Sequence, residues 1–213
     1  MALSGFFLLV FLLQHCTINM LSVISPVMFN ETSHFMGTNP LVQFLLQPVL
    51  AFGVFFHLGM GIVLELKNRS ARPVAYAMSN AGANSSWMSR NMIITGLMVF
   101  LFLLLHFYDF WFPELNVKYV QGDMSGLVTG TNQFRYWEEL HHKFHDPIRV
   151  ALYCLAFVFL SLHLLHGFQS AFQSVGFRHR KYTPIIKKLG EAYAVVIPAG
   201  FVFIAVYHLL TQA

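Results

Sequence analysis

"PIRVALYCLAFVFLSLHLLHGFQSA", residues 147–171, decides the fold. Its one charged residue, Arg149, stands at the near end. A helix needs about 20 apolar residues to cross the roughly 30 Å hydrocarbon core of a bilayer, and this run has them. In lipid the backbone must satisfy its own N–H and C=O groups, so an unbroken apolar run is helical. It lacks the short alternating pattern of a membrane barrel strand. Near its far end it nevertheless carries two imidazoles, His163 and His166. An ionisable side chain at membrane depth is costly without a partner, which makes it a functional candidate by default.

Working outward, four more segments read the same way: about 2–21, 41–65, 91–112 and 190–211. The 213 residues are 56% hydrophobic and only 10% charged, too few charges to cover a soluble domain of this size. The expectation is an all-α integral membrane bundle of five transmembrane helices, one domain over 1–213. Local signals support the boundaries. Asp146 and Pro147 supply an N-cap and a first helical residue for segment four, and Thr38, Asn39 and Pro40 do the same before segment two. Pro113 ends segment three after Phe112, and Pro48 and Pro198 kink the helices that contain them. Trp111, Trp137 and Tyr119 suit the interfacial aromatic belt. Cys16 and Cys154 lie inside apolar segments and read as buried thiols, not a disulfide framework. The first segment is too long and too poor in basic residues for a cleaved signal peptide. It begins so near Met1 that a short preceding tail is expected to be missing from this chain.

The net charge is +4 with histidine neutral, and its distribution gives orientation. Lys67, Arg69, Arg72 and Arg90 lie between segments two and three, and Arg178, Arg180, Lys181, Lys187 and Lys188 between four and five. The loop before segment two has no Lys or Arg, and in loop 113–146 the few basic residues are mixed with Glu114, Asp123, Glu138, Glu139 and Asp146. By the positive-inside rule the two basic loops and the N-terminus are cytoplasmic. Basic loops also attract acidic lipid headgroups. Nothing else supports a nucleic-acid partner.

Of eleven histidines, His34, His141, His142, His145 and His179 fall in loops, where solvated surface positions are expected. His208 lies near the outer end of the last helix and is expected to reach the interface. His15, His57, His106, His163 and His166 remain inside helices. His15 and His106 lie about 22 Å into helices entering from the cytoplasm; His57 and His163 lie about sixteen residues into helices entering from outside. The four form two pairs at two depths. A weak repeat accompanies them: Ser4, Gly5 and His15 match Thr95, Gly96 and His106, while His57 and Gly61 match His163 and Gly167.

Two facing imidazoles at one depth are what a six-coordinate haem needs. Zinc or copper would want three or four converging ligands. Gly61 and Gly167, four residues past their histidines, share a helix stripe with them and leave room for a flat macrocycle. Ser4 and Thr95 share the stripe of His15 and His106 but sit lower, near the inner pair. Ordinary close helix packing is the alternative use of such glycines. His163 and His166 are about 60° apart around the helix, so both cannot face one iron.

These residues resemble the cytochrome b membrane anchor of succinate:quinone oxidoreductases, the single-chain di-haem type with five helices. "LQHCTIN", "FFHLGMG", "WMSRNMIITG" followed by "LLH", and "LHLLHG" follow the family's four ligand helices in order and spacing, and "TSHFMGTNP" resembles the segment before its second helix. The resemblance implies two haem b groups, with His15 and His106 on the outer, distal haem and His57 and His163 on the inner, proximal one. It implies electron transfer between an iron–sulfur subunit, itself joined to a flavoprotein, and a membrane quinone, with menaquinone the family-level expectation. It implies a bacterial cytoplasmic membrane, and a subunit that carries no dicarboxylate chemistry of its own. Glu31 stands about where some members keep a carboxylate for the quinol site. Ser4, Thr95, Gly61, Gly167, His166 and Arg90 become candidates for the haem environment. Ser161 stands where some members have a helix-four glutamate for a compensating proton path, which puts that path in doubt. A di-haem anchor of a hydrogenase or formate dehydrogenase would share most of these features. A transporter with a histidine proton relay would instead predict broken helices about a midplane site.

Overall fold

Five helices long and apolar enough to cross a bilayer carry the fold. The computed structural model describes residues 1–70, 91–177 and 179–211, and no strand occurs among them. Helix α1 is Ala2–Ile24 and α2 is the short Pro26–Thr38. Helix α3 covers Val42–Ser70 and α4 covers Met92–Val120. The short α5, Tyr136–Lys143, precedes α6, Pro147–Ser174, and α7, Thr183–Leu210.

The caps follow the sequence. The Asp146 carboxylate accepts the Ile148 N–H at 2.9 Å with Pro147 at the first helical position, and the Asn39 side chain accepts from Leu41 N–H at 2.9 Å. Ser25 caps α2 in the same way, accepting from Met28 N–H at 3.3 Å ahead of Pro26.

Other boundaries differ from expectation. Helix α4 does not stop at Phe112 but runs through Pro113 to Val120. A wide π-turn over Phe107–Trp111, in which Phe112 N–H bonds Phe107 O, comes directly before the proline. Such a turn re-registers the carbonyls that a proline ring would otherwise strike. A second π-turn over Val42–Leu46 precedes Pro48 and does the same for α3. Helix α7 begins at Thr183, with Pro184 in its first turn, not near residue 190. The segments holding His34, His141 and His142 are the helices α2 and α5, not loops.

Helices α3, α1, α6 and α4 form a ring, each packing on the next, and α7 lies against α1 and α6 outside it. At one end α2 packs on α5 and covers the ring; this is the capped end. The buried apolar core gathers towards it, around Phe29, Leu140, Phe144, Tyr153, Phe157, Phe201 and Ile204. The opposite, open end carries Lys67, Arg69, Lys187 and Lys188. Arg72, Arg90 and Arg178 lie outside the described residues.

Candidate functional site

In the ring order α3–α1–α6–α4, the four candidate histidines sit on diagonally opposed helices. His15 on α1 meets His106 on α4 with ring centres 5.8 Å apart, and His57 on α3 meets His163 on α6 at 6.4 Å. The first pair lies towards the capped end and the second towards the open end. Each pair therefore reaches across the middle of the bundle at its own level.

The pair near the open end is braced by hydroxyls. Ser4 Oγ lies 3.2 Å from His57 Nδ1, and Thr95 Oγ1 lies 3.3 Å from His163 Nδ1. Both hydroxyl protons are already used: Ser4 donates to Met1 O at 2.7 Å and Thr95 to Met92 O at 3.0 Å. Each hydroxyl oxygen is left to accept from an Nδ1–H. That assigns the Nδ1–H tautomer to both rings and leaves both Nε2 lone pairs available, the arrangement that orients a metal-ligating histidine. The neighbouring glycines let the helices come close. A Cβ at Gly96 would stand 3.3 Å from His163 Cε1, and one at Gly5 would stand 3.7 Å from His57 Cε1.

The pair near the capped end is boxed by aromatic rings. His15 lies among Phe11 (5.3 Å) and Phe201 (5.7 Å), and His106 among Phe110 (5.3 Å), Phe102 (5.9 Å) and Tyr153 (6.5 Å). Asn19 donates to His15 O at 2.8 Å and comes within 3.4 Å of its Nδ1. His106 Nδ1 is buried with no hydrogen-bond partner among the described residues. A buried polar atom left unpaired costs about 1–3 kcal/mol, removed only by a group that engages Nδ1 itself.

The remaining sequence candidates fall elsewhere. Gly61 and Gly167 abut the tips of Met1 and Met92, so the glycines that touch imidazoles are Gly5 and Gly96, one residue past the braces. His166 is half-buried one turn beyond His163, and no hydrogen bond joins it to another described residue. Glu31 is exposed on α2. Arg90 lies outside the described residues.

Polar groups with no motif of their own occupy the capped end. Asp109 has a fully buried side chain that pairs with Arg149 and accepts the Tyr153 hydroxyl at 2.8 Å. Glu114 bonds Lys118 at 2.7 Å and Arg135 at 2.5 Å, tying α4 to the loop before α5. Burial, helped by the Glu114 charge, pushes the Tyr136 hydroxyl beside them up to about 12. His208 does not reach the interface: it is fully buried, 2.9 Å from Ser22 Oγ and 3.0 Å from His141. Its burial comes from α5 folding over the end of α7, with Trp137 donating to Ser22 O at 2.8 Å and stacking on His141. The stripe Trp137, His141, His145, at helical spacing of four, is the signal that could have revealed that helix. Burial, then the nearby His145, holds His141 below its usual range.

The histidine pairs fit a haem. Metal–imidazole bonds of about 2.0–2.1 Å put the ring centres of two axial ligands about 6 Å apart, as both pairs are. Among the described residues no three His, Cys, Asp or Glu side chains converge on a bare metal ion. A metal between either pair would take its remaining ligands from outside these side chains, as a macrocycle supplies them. Comparison with protein-family models, with curated proteins and with solved structures gives no match.

Proposed function

We propose that this chain is the di-haem cytochrome b anchor subunit of a succinate:quinone oxidoreductase, lodged in a bacterial cytoplasmic membrane. The observation that carries the reading is the doubled brace: two hydroxyls from neighbouring helices, each on the Nδ1 of one member of a facing imidazole pair. Core packing alone has no need of the same tautomer twice across a diagonal. His57 and His163 would hold an inner haem, and His15 and His106 an outer one. When bound, the two haems supply one-electron carriers at two depths.

The chain's own residues do the rest. The braces fix the ring planes of the inner ligands. The phenylalanines around His15 and His106 keep water from the outer pair, which favours a neutral, low-dielectric setting. The basic open end faces the cytoplasm by the positive-inside rule and is the docking face for an iron–sulfur subunit bearing a flavoprotein. A quinone, with menaquinone favoured by the family resemblance, would react towards the capped end. Glu31, exposed on α2, is the candidate proton acceptor at its rim.

The test is to isolate the chain from its native membrane under mild detergent and assay the preparation. The expected result is co-isolated flavin and iron–sulfur protein, with succinate-dependent reduction of a naphthoquinone or the reverse reaction with fumarate. Turnover with formate or hydrogen in place of a dicarboxylate would reject this assignment.

A further inference from the structure

At the capped end the imidazole of His208 is fully buried yet hydrogen-bonded through both nitrogens. Ser22 donates its hydroxyl proton to Asn19 O at 2.6 Å, so Ser22 Oγ accepts from His208 Nε2–H at 2.9 Å. That leaves His208 Nδ1 as a lone pair, which accepts from His141 Nδ1–H at 3.0 Å. Only one of two facing nitrogens can carry a proton, so a single N–H···N proton lies between the rings. The outer nitrogen of His141, Nε2, is then basic. The His141 ring meets the His145 ring edge-on at 4.6 Å, and His145 is exposed. The row runs from an exposed imidazole to a buried hydroxyl, its outermost link a ring contact and the others hydrogen bonds.

We propose that His145, His141 and His208 form a proton route between the aqueous phase at the capped end and the buried Ser22. The proposal rests on the reading of this chain as a quinone-linked subunit. A proton arriving on His141 Nε2 releases the shared proton to His208 Nδ1, and neither ring has to turn. His208 is then an imidazolium, and export starts from the opposite tautomers: the Ser22 hydroxyl turns from Asn19 O to donate to His208 Nε2, His208 Nδ1–H to His141, and His141 Nε2–H towards the aqueous side. A quinol that is oxidised loses two protons with its two electrons; this route carries protons alone, and only N–H and O–H bonds form or break along it. The titratable groups facing His208 are His141 from α5 and His145 in the turn after it, while α1 contributes the Ser22 hydroxyl. Ser22 lies seven residues past His15 on α1, about 10 Å along the axis towards the capped end. Its inner terminus is thus on the aqueous side of the outer pair, where a quinone's protons have to leave or enter. Asp109 is no substitute, since both its oxygens are held, by Arg149 and Tyr153.

The experiment uses the whole complex with menadiol as electron donor, comparing the parent with His208→Phe, His141→Gln and His145→Ala. The expected result is an unchanged haem spectrum in all three, with quinol oxidation lowered about tenfold in the first two and about twofold in His145→Ala. The solvent deuterium effect should rise in the two slow variants, and added imidazole should restore turnover in His141→Gln. Independently of turnover, the broad infrared band of a shared N–H···N proton should be present in the parent and absent from both. Parental turnover, isotope effect and infrared band in haem-replete His208→Phe and His141→Gln would overturn the route. If His208→Phe fails to assemble, His141→Gln decides by the same readouts. A parent without haem would instead defeat the functional reading itself.

Discussion

The two imidazole pairs differ in what holds them. At the open end, His57 and His163 are each braced by a hydroxyl on Nδ1 and approached by a glycine, Gly5 or Gly96. At the capped end no hydroxyl braces the rings: the Asn19 amide reaches His15 Nδ1 at 3.4 Å, phenylalanines and Tyr153 enclose the pair, and His106 Nδ1 stays unpaired among the described residues. The open-end pair is thus set by a hydroxyl hydrogen bond on each ring and the capped-end pair mainly by packing. A hydrogen bond fixes tautomer and ring plane, whereas a hydrophobic box fixes only position, leaving the outer rings free to adjust to their ligand. The polar machinery of the outer level lies beyond the pair, in the cap.

The comparison breaks most sharply at the four histidines proposed as ligands. His163→Ala should remove the inner haem and leave the outer, and His106→Ala should do the reverse, read as haem per chain after extraction. His166→Ala should leave both; loss of a haem there with none lost in His163→Ala would show the wrong residue chosen. Next in size is the buried ion pair that anchors the cap. Asp109→Asn leaves Arg149 only the longer contact to Asp146 at 4.0 Å, and breaking a buried pair costs about 3–5 kcal/mol, here at the lower end because Arg149 is partly exposed and keeps that second carboxylate. Thermal unfolding in detergent should show it, with the outer haem lost before the inner.

Thr95→Val deletes one brace and keeps the shape. Loss of such a supporting hydrogen bond lowers metal affinity about 10- to 100-fold, so the inner haem should dissociate faster while the outer keeps its parental rate. The smallest effect is on pH. Burial, then Lys118, lowers His34, partly offset by Glu114, and burial followed by His145 lowers His141. Each is held below its unfolded value of 6.5, so the unfolded chain binds more protons between the two values. Their contribution to stability is present above about pH 6.5 and fades as the pH falls below it. Amide exchange in α2 and α5 should accelerate as the pH falls below about 6.5.

What could be read from the sequence is what is local. Apolar runs of membrane length, the caps at Asn39 and Asp146, and the two levels at which His15 meets His106 and His57 meets His163 all depend on neighbours along the chain. Ser4 and Thr95 were placed near the inner pair by helical arithmetic, and their hydroxyls do lie on its nitrogens. Gly61 and Gly167 were singled out on the histidines' own helices, but the close approach comes from the facing helices, at Gly5 and Gly96. Pro113 does not end α4 because a π-turn absorbs it, and no residue pattern announces that. The cap was least legible. His208 looked interfacial because its partner Ser22 is 186 residues away, and contacts of that range leave no periodic trace.

The central claim is that the two pairs are axial ligands of two haems. Haem extraction and a reduced-minus-oxidised optical spectrum of the purified chain test it most directly. The account predicts about two haem b per chain, both low-spin. A properly folded chain from its native membrane with no haem would contradict it.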